Sequence, residues 1–133
     1  MSSIYVAGAS SERDMIARYM SGLRRAGHVI AVDWVAAMAA CPVPEADMPE
    51  AEALRYAHAD LRGIRECDVF WLLAPSTTST GAWLELGYAL GQRKAAVVIS
   101  GPCPSIFARC ASTRFAVHEL AFGALCRKEI PHG

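Results

Sequence analysis

The chain has 133 residues, of which 53% are hydrophobic and 20% are charged, enough apolar material for one compact domain and too few residues for two. Thirteen basic residues balance thirteen acidic ones, so no overall positive field attracts nucleic acid or a membrane, and a small molecule is the expected partner. The five cysteines form no Cys-x-x-Cys pair, and neither a signal sequence nor a long apolar run is present, so we expect reduced thiols and a cytoplasmic protein.

Short apolar runs alternate along the chain with segments of helical period, which is typical of a parallel sheet with helices on both faces. The five predicted strands are residues 4–7, 29–33, 68–74, 95–100 and 115–118. The predicted fold is therefore a single α/β domain over residues 1–133. Its sheet is doubly wound, five-stranded and parallel, of flavodoxin or Rossmann type, in the order 2-1-3-4-5.

Five helices are predicted between and after the strands. The first ends at Gly27 and carries apolar side chains at helical spacing, namely Met15, Ile16, Tyr19, Met20 and Leu23. The second ends near Cys67 and turns an apolar stripe inward, formed by Ala53, Leu54, Ala57, Leu61 and Ile64. The third covers residues 81–91, and the last two cover 105–111 and 119–127.

Residues 36–50 interrupt the alternation of strands and helices, because Pro42, Pro44 and Pro49 fall there together with acidic side chains. This composition predicts a long loop. Loops of such length in compact domains are often lids, so a lid over the functional site is the expected role of this segment.

Three loops follow the predicted strands, at residues 8–13, 75–81 and 101–105, and all are rich in hydroxyl groups or glycine. Ligands of open α/β sheets bind at this edge, and two of the loops lead into helix N-termini that favour an anion. The simpler alternative is that their serines only cap helices. Neither a P-loop nor a dinucleotide fingerprint is present, and we expect no metal and no cofactor. The candidate binding residues are Gly8, Ser10, Ser11, Arg13, Ser79, Gly81, Trp83 and Ser105.

Glu85 lies within the apolar helical segment Ala82-Trp83-Leu84-Glu85-Leu86-Gly87-Tyr88. An ionised carboxylate removed from water costs on the order of several kcal/mol unless it is paired or used. Glu85 is therefore predicted to be a catalytic group.

Three segments together resemble the nucleoside 2-deoxyribosyltransferase superfamily. They are Ile4-Tyr5-Val6-Ala7-Gly8, then Asp60-Leu61-Arg62-Gly63-Ile64 followed by Cys67-Asp68-Val69, and Glu85-Leu86-Gly87-Tyr88-Ala89-Leu90. The resemblance covers nearly the whole chain and implies a doubly wound sheet and a homodimer or a higher homo-oligomer. It also implies an enzyme that exchanges bases between deoxynucleosides or hydrolyses the N-glycosidic bond of nucleoside 5′-monophosphates, with no cofactor.

The resemblance assigns roles to three residues. Glu85 matches the nucleophile, Asp60 the carboxylate that orients it and handles the proton of the base, and Tyr5 the aromatic residue of the first strand. A carboxylate beneath C1′ stabilises positive charge there and captures the sugar as an ester, as in retaining glycosidases. The alternatives are that Asp60 is a solvated helix residue and Tyr5 a core aromatic.

The position six residues before the nucleophile separates the two branches of the superfamily, and here it is Ser79. Similar transferases carry an acidic residue there, whereas the hydrolases carry a serine that contacts the 5′-phosphate. Ser105 resembles a second phosphate-contacting serine, which the neighbouring subunit supplies, and Arg13 is the candidate positive charge. The first loop is shorter than in those hydrolases and lacks one of their arginines.

Two other interpretations remain open from the sequence. A TIR-like NAD hydrolase also combines an opening strand, a first loop with Ser and Arg, and a Trp-x-x-Glu helix, although Trp83 and Glu85 are only two positions apart. A non-catalytic nucleotide-binding module would retain the fold and the loops without turnover.

Overall fold

The computed structural model describes residues 2–41, 43–94 and 96–130. Its strands are β1 (Ser3–Ala7), β2 (Val29–Ile30), β3 (Val69–Leu73), β4 (Val97–Ser100) and β5 (Thr113–Phe115). Its helices are α1 (Arg13–Arg25), α2 (Trp34–Ala40), α3 (Glu50–Glu66), α4 (Thr80–Gly91) and α5 (His118–Cys126). Single 3-10 turns lie at Ser10–Glu12, Glu45–Asp47 and Ile106–Cys110.

Within the described residues the strands form one parallel sheet of five strands in the order β2-β1-β3-β4-β5. This confirms the predicted α/β fold and its strand order. The order reverses between β1 and β3, where Tyr5 pairs in register with Phe70. A ligand crevice is therefore expected between the loops that follow these two strands.

The sheet separates two apolar layers, and alternate side chains of β1 enter different ones. Ile4 and Val6 pack with α1 and α5, whereas Tyr5 and Ala7 pack with α3 and α4. Because Asp60 lies on α3 and Glu85 on α4, the strand period alone directs Tyr5 into the layer that holds both carboxylates.

Gly63 allows α3 to approach β1 closely. A Cβ atom at this position would clash with Val32 and lie 3.3 Å from the ring of Tyr5. At the end of the same helix, the ammonium of Lys94 donates to the carbonyls of Arg65 and Cys67, each at 2.6 Å, which satisfies backbone acceptors that a helix end leaves free.

The predicted loop at residues 36–50 is wrong in part, since α2 and a 3-10 turn occupy much of it. Asp33 begins α2 by accepting from the Ala36 N–H at 2.9 Å, so the second strand is shorter than predicted. The alanine-rich stretch after Trp34 favours a helix, and the prolines follow it. Pro42 itself lies outside the described residues.

The inward stripe predicted for the second helix is also wrong at Leu54 and Ala57, which are exposed, while Gly63 and Ile64 are buried. α3 has 17 residues and is about 25 Å long, whereas β3 has only five and covers about 17 Å. The first turns of α3 therefore have little sheet to pack against.

The last elements differ from the prediction in their boundaries. The fifth strand ends at Phe115, and α5 begins at His118, whose Nδ1 is hydrogen-bonded at 2.7 Å to the Ser100 hydroxyl. The segment predicted as a helix at 105–111 is a 3-10 turn. The fourth strand begins at Val97, and Ala95, the first residue predicted for it, lies outside the described residues. In the part of the chain that the structure describes, no helix has the length and hydropathy needed to cross a membrane.

Candidate active site

Tyr5 and Glu85 are in direct contact between β1 and α4. The Tyr5 ring is fully buried and stacks on Phe70, with the ring centroids 5.8 Å apart and the planes 8° from parallel. Its hydroxyl donates a hydrogen bond to Oε2 of Glu85. The carboxylate expected on its own in an apolar helix therefore has a partner, and that partner has little freedom to move.

Burial raises the pKa of Glu85 to about 7; the hydrogen bond from Tyr5 opposes this rise, and the charge of Asp60 adds to it. Burial also raises the pKa of Tyr5, and the charges of Glu85 and Asp60 raise it further. The tyrosine thus remains a neutral donor, and Glu85 changes its charge near neutral pH, where a catalytic carboxylate is most useful.

Asp60 faces the same layer from α3, half-buried. Burial raises its pKa to about 6, with a further contribution from the charge of Glu45. Asp60 is therefore half-buried rather than fully solvated. Of these two carboxyl groups, Glu85 has the higher pKa and Asp60 the lower, so a single proton shared by the pair lies mostly on Glu85.

Glu45 is a neighbour of the site that sequence reasoning missed. It lies in the 3-10 turn that precedes α3, within the segment predicted to be a lid. No spacing or motif marks Glu45 in the sequence, because its approach to Asp60 depends on how α2 and α3 are connected.

The loops after β1 and β3 are joined by side-chain hydrogen bonds. The hydroxyls of Ser11 and Thr77 are 2.7 Å apart. Glu12 accepts from the Ser76 N–H at 3.2 Å and from the Ser76 hydroxyl at 2.9 Å. Both contacts cross the crevice at the point where strand order reverses.

The serines of these loops are not all helix caps. Ser105 is one, since its hydroxyl accepts from the Phe107 N–H at 3.2 Å. Ser79 occupies the N-cap position of α4, but its hydroxyl makes no capping hydrogen bond. Ser10 and Ser11 lie inside a 3-10 turn whose N-cap position is Ala9. The simple capping interpretation therefore holds for one of the four candidate serines.

The remaining candidates are dispersed around this edge. The Arg13 guanidinium donates to the Ser10 carbonyl at 3.1 Å. Gly8 approaches α1 so closely that a Cβ atom there would lie 2.5 Å from Ile16, whereas a Cβ atom at Gly81 would meet nothing within 4 Å. Gly8 therefore has a packing role, and the first turn of α4 is open.

Trp83 and Ser105 lie together, but on a different side of α4 from Glu85, because residues two apart on a helix point in nearly opposite directions. They line an apolar groove of about 870 Å³. The groove is formed by Trp83, Leu86, Gly87, Leu90, Gly91, Pro104, Ser105, Phe107 and Cys110. Within one subunit, these two candidates belong to the groove rather than to the carboxylate site.

The family model for nucleoside 2-deoxyribosyltransferases matches residues 4–107, which include Tyr5, Asp60 and Glu85. The chain belongs to the nucleoside 2-deoxyribosyltransferase family. Membership confirms the recognition from sequence motifs and the predicted enzyme class, a nucleoside or nucleotide N-glycosidase or 2-deoxyribosyltransferase. No curated protein sequence matches the chain.

Among solved structures, the chain is similar to the CMP N-glycosidase BcmB of Clostridium botulinum. The TM-score is 0.60 at 14% sequence identity, and the match covers 96% of this chain and 98% of the other. At that identity the likeness supports the fold, and the site rests on the geometry described above.

The raised pKa of Glu85 makes the stability of the protein depend on pH. A carboxyl with a folded-state pKa of about 7 stabilises the folded state fully when the pH is below its unfolded-state pKa. This stabilisation is lost as the pH rises through 7. We therefore compare the free energy of unfolding of Glu85→Gln with that of the wild type. We expect the difference, variant minus wild type, to increase by about 2–3 kcal/mol from pH 5 to pH 8.

Urea unfolding of both proteins at the two pH values measures this change. Glu66→Gln, a substitution at an exposed position of α3, is the matched control, and its effect should be the same at both pH values. An equal effect of Glu85→Gln at pH 5 and pH 8 would show that Glu85 is not held in a desolvated site.

Proposed function

We propose that the chain cleaves the N-glycosidic bond of a nucleoside or a (deoxy)nucleoside 5′-monophosphate, with Glu85 as the nucleophile and water or a second base as the acceptor. The observation that carries the proposal is the buried contact between the Tyr5 hydroxyl and the Glu85 carboxylate, with Asp60 close enough to raise the pKa of Glu85. The family match supports the bond type.

In the first half of the reaction, a Glu85 oxygen attacks C1′ of the sugar as the bond from C1′ to the base nitrogen breaks. The electron pair of that bond leaves with the base, and protonated Asp60 supplies a proton to it. The positive charge that develops at C1′ faces the carboxylate, which stabilises it and then forms a glycosyl ester.

In the second half, a water molecule or another base attacks C1′ from the side that the first base has left. Asp60, now a carboxylate, accepts the proton from the attacking group, and the bond from C1′ to Glu85 breaks. The Tyr5 hydroxyl donates to the carboxylate as its charge returns, which favours the departure of Glu85 and fixes its orientation.

The two carboxyl groups must carry opposite protonation states at the start of the cycle, with Glu85 ionised and Asp60 protonated. The pKa values are raised by burial to about 7 for Glu85 and about 6 for Asp60, so their titrations overlap and belong to the pair. In the free chain the single proton of the pair lies mostly on Glu85, and the productive form with the proton on Asp60 is the minor one. This overlap favours activity in the slightly acid to neutral range and a decline on both sides.

The 5′ end of the substrate lies, in this proposal, against the first turn of α4. The Ser79 hydroxyl, which makes no capping bond, contacts a 5′-hydroxyl or a 5′-phosphate there, near the open backbone at Gly81. Ser10, Ser11 and Arg13 border the same crevice. The similarity to a CMP N-glycosidase favours a monophosphate, whereas the family name favours a deoxynucleoside.

We also propose a homodimer formed over the groove between α4 and the 3-10 turn at Ile106–Cys110. Large apolar side chains at this face are well exposed in one subunit, with Leu84 at 69%, Ile106 at 74% and Phe107 at 61%. The resemblance to the monophosphate hydrolases implies that Ser105 of one copy would then contact the substrate of the other. Sedimentation equilibrium should give a dimer mass at micromolar concentration, and a monomer would contradict this arrangement.

A chromatographic screen for released base tests the function. Nucleosides, their 5′-monophosphates and NAD are each incubated with the wild type, with Glu85→Ala and with Asp60→Asn. We expect base release from a nucleoside or a monophosphate, and a loss of at least about a thousandfold in kcat for Glu85→Ala, because the covalent route is removed.

The exposed substitution Glu66→Gln is the control and should retain full activity. Equal activity of Glu85→Ala and the wild type would refute the nucleophile assignment. Release of nicotinamide from NAD alone would favour the TIR-like alternative, and ligand binding without any turnover would favour the non-catalytic module.

A further inference from the structure

Glu12 is a carboxylate at the entrance of the crevice with no counterpart among the expected site residues. It ends the 3-10 turn after β1, and its side chain crosses to the loop after β3. There it accepts from both the backbone N–H and the hydroxyl of Ser76. A negatively charged group of the protein thus occupies donors in a loop that leads into the N-terminus of α4.

The charge of Glu12 is not offset by an ion pair. Among the residues that the structure describes, the ion pairs are Arg24 with Asp33 and Arg127 with Glu129. Arg13, the cation next to Glu12 in sequence, instead directs its guanidinium to the carbonyl of Ser10. The Arg13 guanidinium therefore remains beside the crevice and His118 is near enough to Glu12 to feel its charge, but among the described residues neither forms an ion pair with Glu12.

The carboxylate is not the sole link between the loops among the described residues, because an uncharged contact also joins them. The hydroxyls of Ser11 and Thr77 meet across the crevice at 2.7 Å. A hydroxyl or amide in place of Glu12 would also reach Ser76 without adding charge. The property of Glu12 that such a hydroxyl or amide would lack is its negative charge.

We infer that Glu12 sets the substrate class: by occupying the Ser76 donors with a carboxylate that forms no ion pair among the described residues, it disfavours a 5′-phosphate, so the preferred substrate is an uncharged nucleoside. This inference rests on the proposed function, because it concerns the 5′ end of the same substrate. A phosphate would have to displace Glu12 from the Ser76 donors and remain beside it, whereas a 5′-hydroxyl can bond to Ser79 without either requirement.

The experiment compares binding and turnover of deoxynucleosides and their matching 5′-monophosphates. Dissociation constants from calorimetry and kcat/KM from base release are measured for the wild type, Glu12→Gln and Asp14→Asn. Glu12→Gln keeps an acceptor for Ser76 but removes the charge. Asp14→Asn removes one charge from an exposed position of the first turn of α1, outside the contacts with Ser76, and is the matched control.

In the wild type the nucleoside should bind more tightly than its monophosphate. In Glu12→Gln the ratio of monophosphate to nucleoside affinity should rise about tenfold, which is the scale of one unit-charge interaction near a protein surface. Asp14→Asn should change that ratio by much less. A purely structural role of Glu12 would weaken both ligands together and leave the ratio unchanged.

The inference would be overturned if the wild type preferred the monophosphate. It would also be overturned if Glu12→Gln left the ratio of monophosphate to nucleoside affinity unchanged, or if Asp14→Asn changed that ratio equally. If Glu12→Gln does not fold, the wild type still decides the matter, because added salt should narrow its preference for the nucleoside by screening Glu12. If the affinity ratios are as expected but neither ligand releases its base, the proposed function is refuted and the role of Glu12 in ligand choice is retained. No binding of either ligand would contradict both.

Discussion

The hydrogen bond between the Tyr5 hydroxyl and the Glu85 carboxylate is the interaction on which the candidate site depends. It joins the interior strand β1 to α4 inside an apolar layer, where an isolated carboxylate would be costly. The same burial that makes the charge expensive raises the pKa of Glu85 to about 7. A group that is poorly solvated, oriented by one donor and close to a second carboxyl has the properties required of a nucleophile.

The geometry follows from a few features of the fold. Strand alternation sends Tyr5 into the layer between the sheet and α3 with α4, and Gly63 lets α3 lie against the tyrosine ring. Asp60 comes to the site because it is almost one helical turn before Gly63 on α3. The loops after β1 and β3 then meet where strand order reverses, and the Glu12 carboxylate lies between them. Catalysis and substrate choice are thus assigned to neighbouring but separate groups.

Residue periodicity was sufficient to predict the parallel sheet and to single out Glu85, because buried parallel strands and a carboxylate in an apolar helix leave strong local signals. The grouping of Tyr5 and Asp60 with Glu85 came from the resemblance to the family. The same signals did not predict α2, because the prolines that follow its alanines indicated a loop. They also gave no indication of Glu45 or of the contact between Glu12 and Ser76, which depend on how loops cross in space. Trp83 and Ser105 were assigned to the binding site, but within one subunit they line a groove on another side of α4.

The central claim is that Glu85 forms a covalent bond to the sugar. A 2′-deoxy-2′-fluoro nucleoside slows both halves of the reaction, because the fluorine destabilises the positive charge at C1′ in each, and long incubation lets a slowly hydrolysed glycosyl ester accumulate. Mass spectrometry of acid-quenched protein should then show one added fluorosugar, and peptide mapping should assign it to Glu85. Base release without any adduct, or an adduct on Asp60 that persists in Glu85→Ala, would contradict the account.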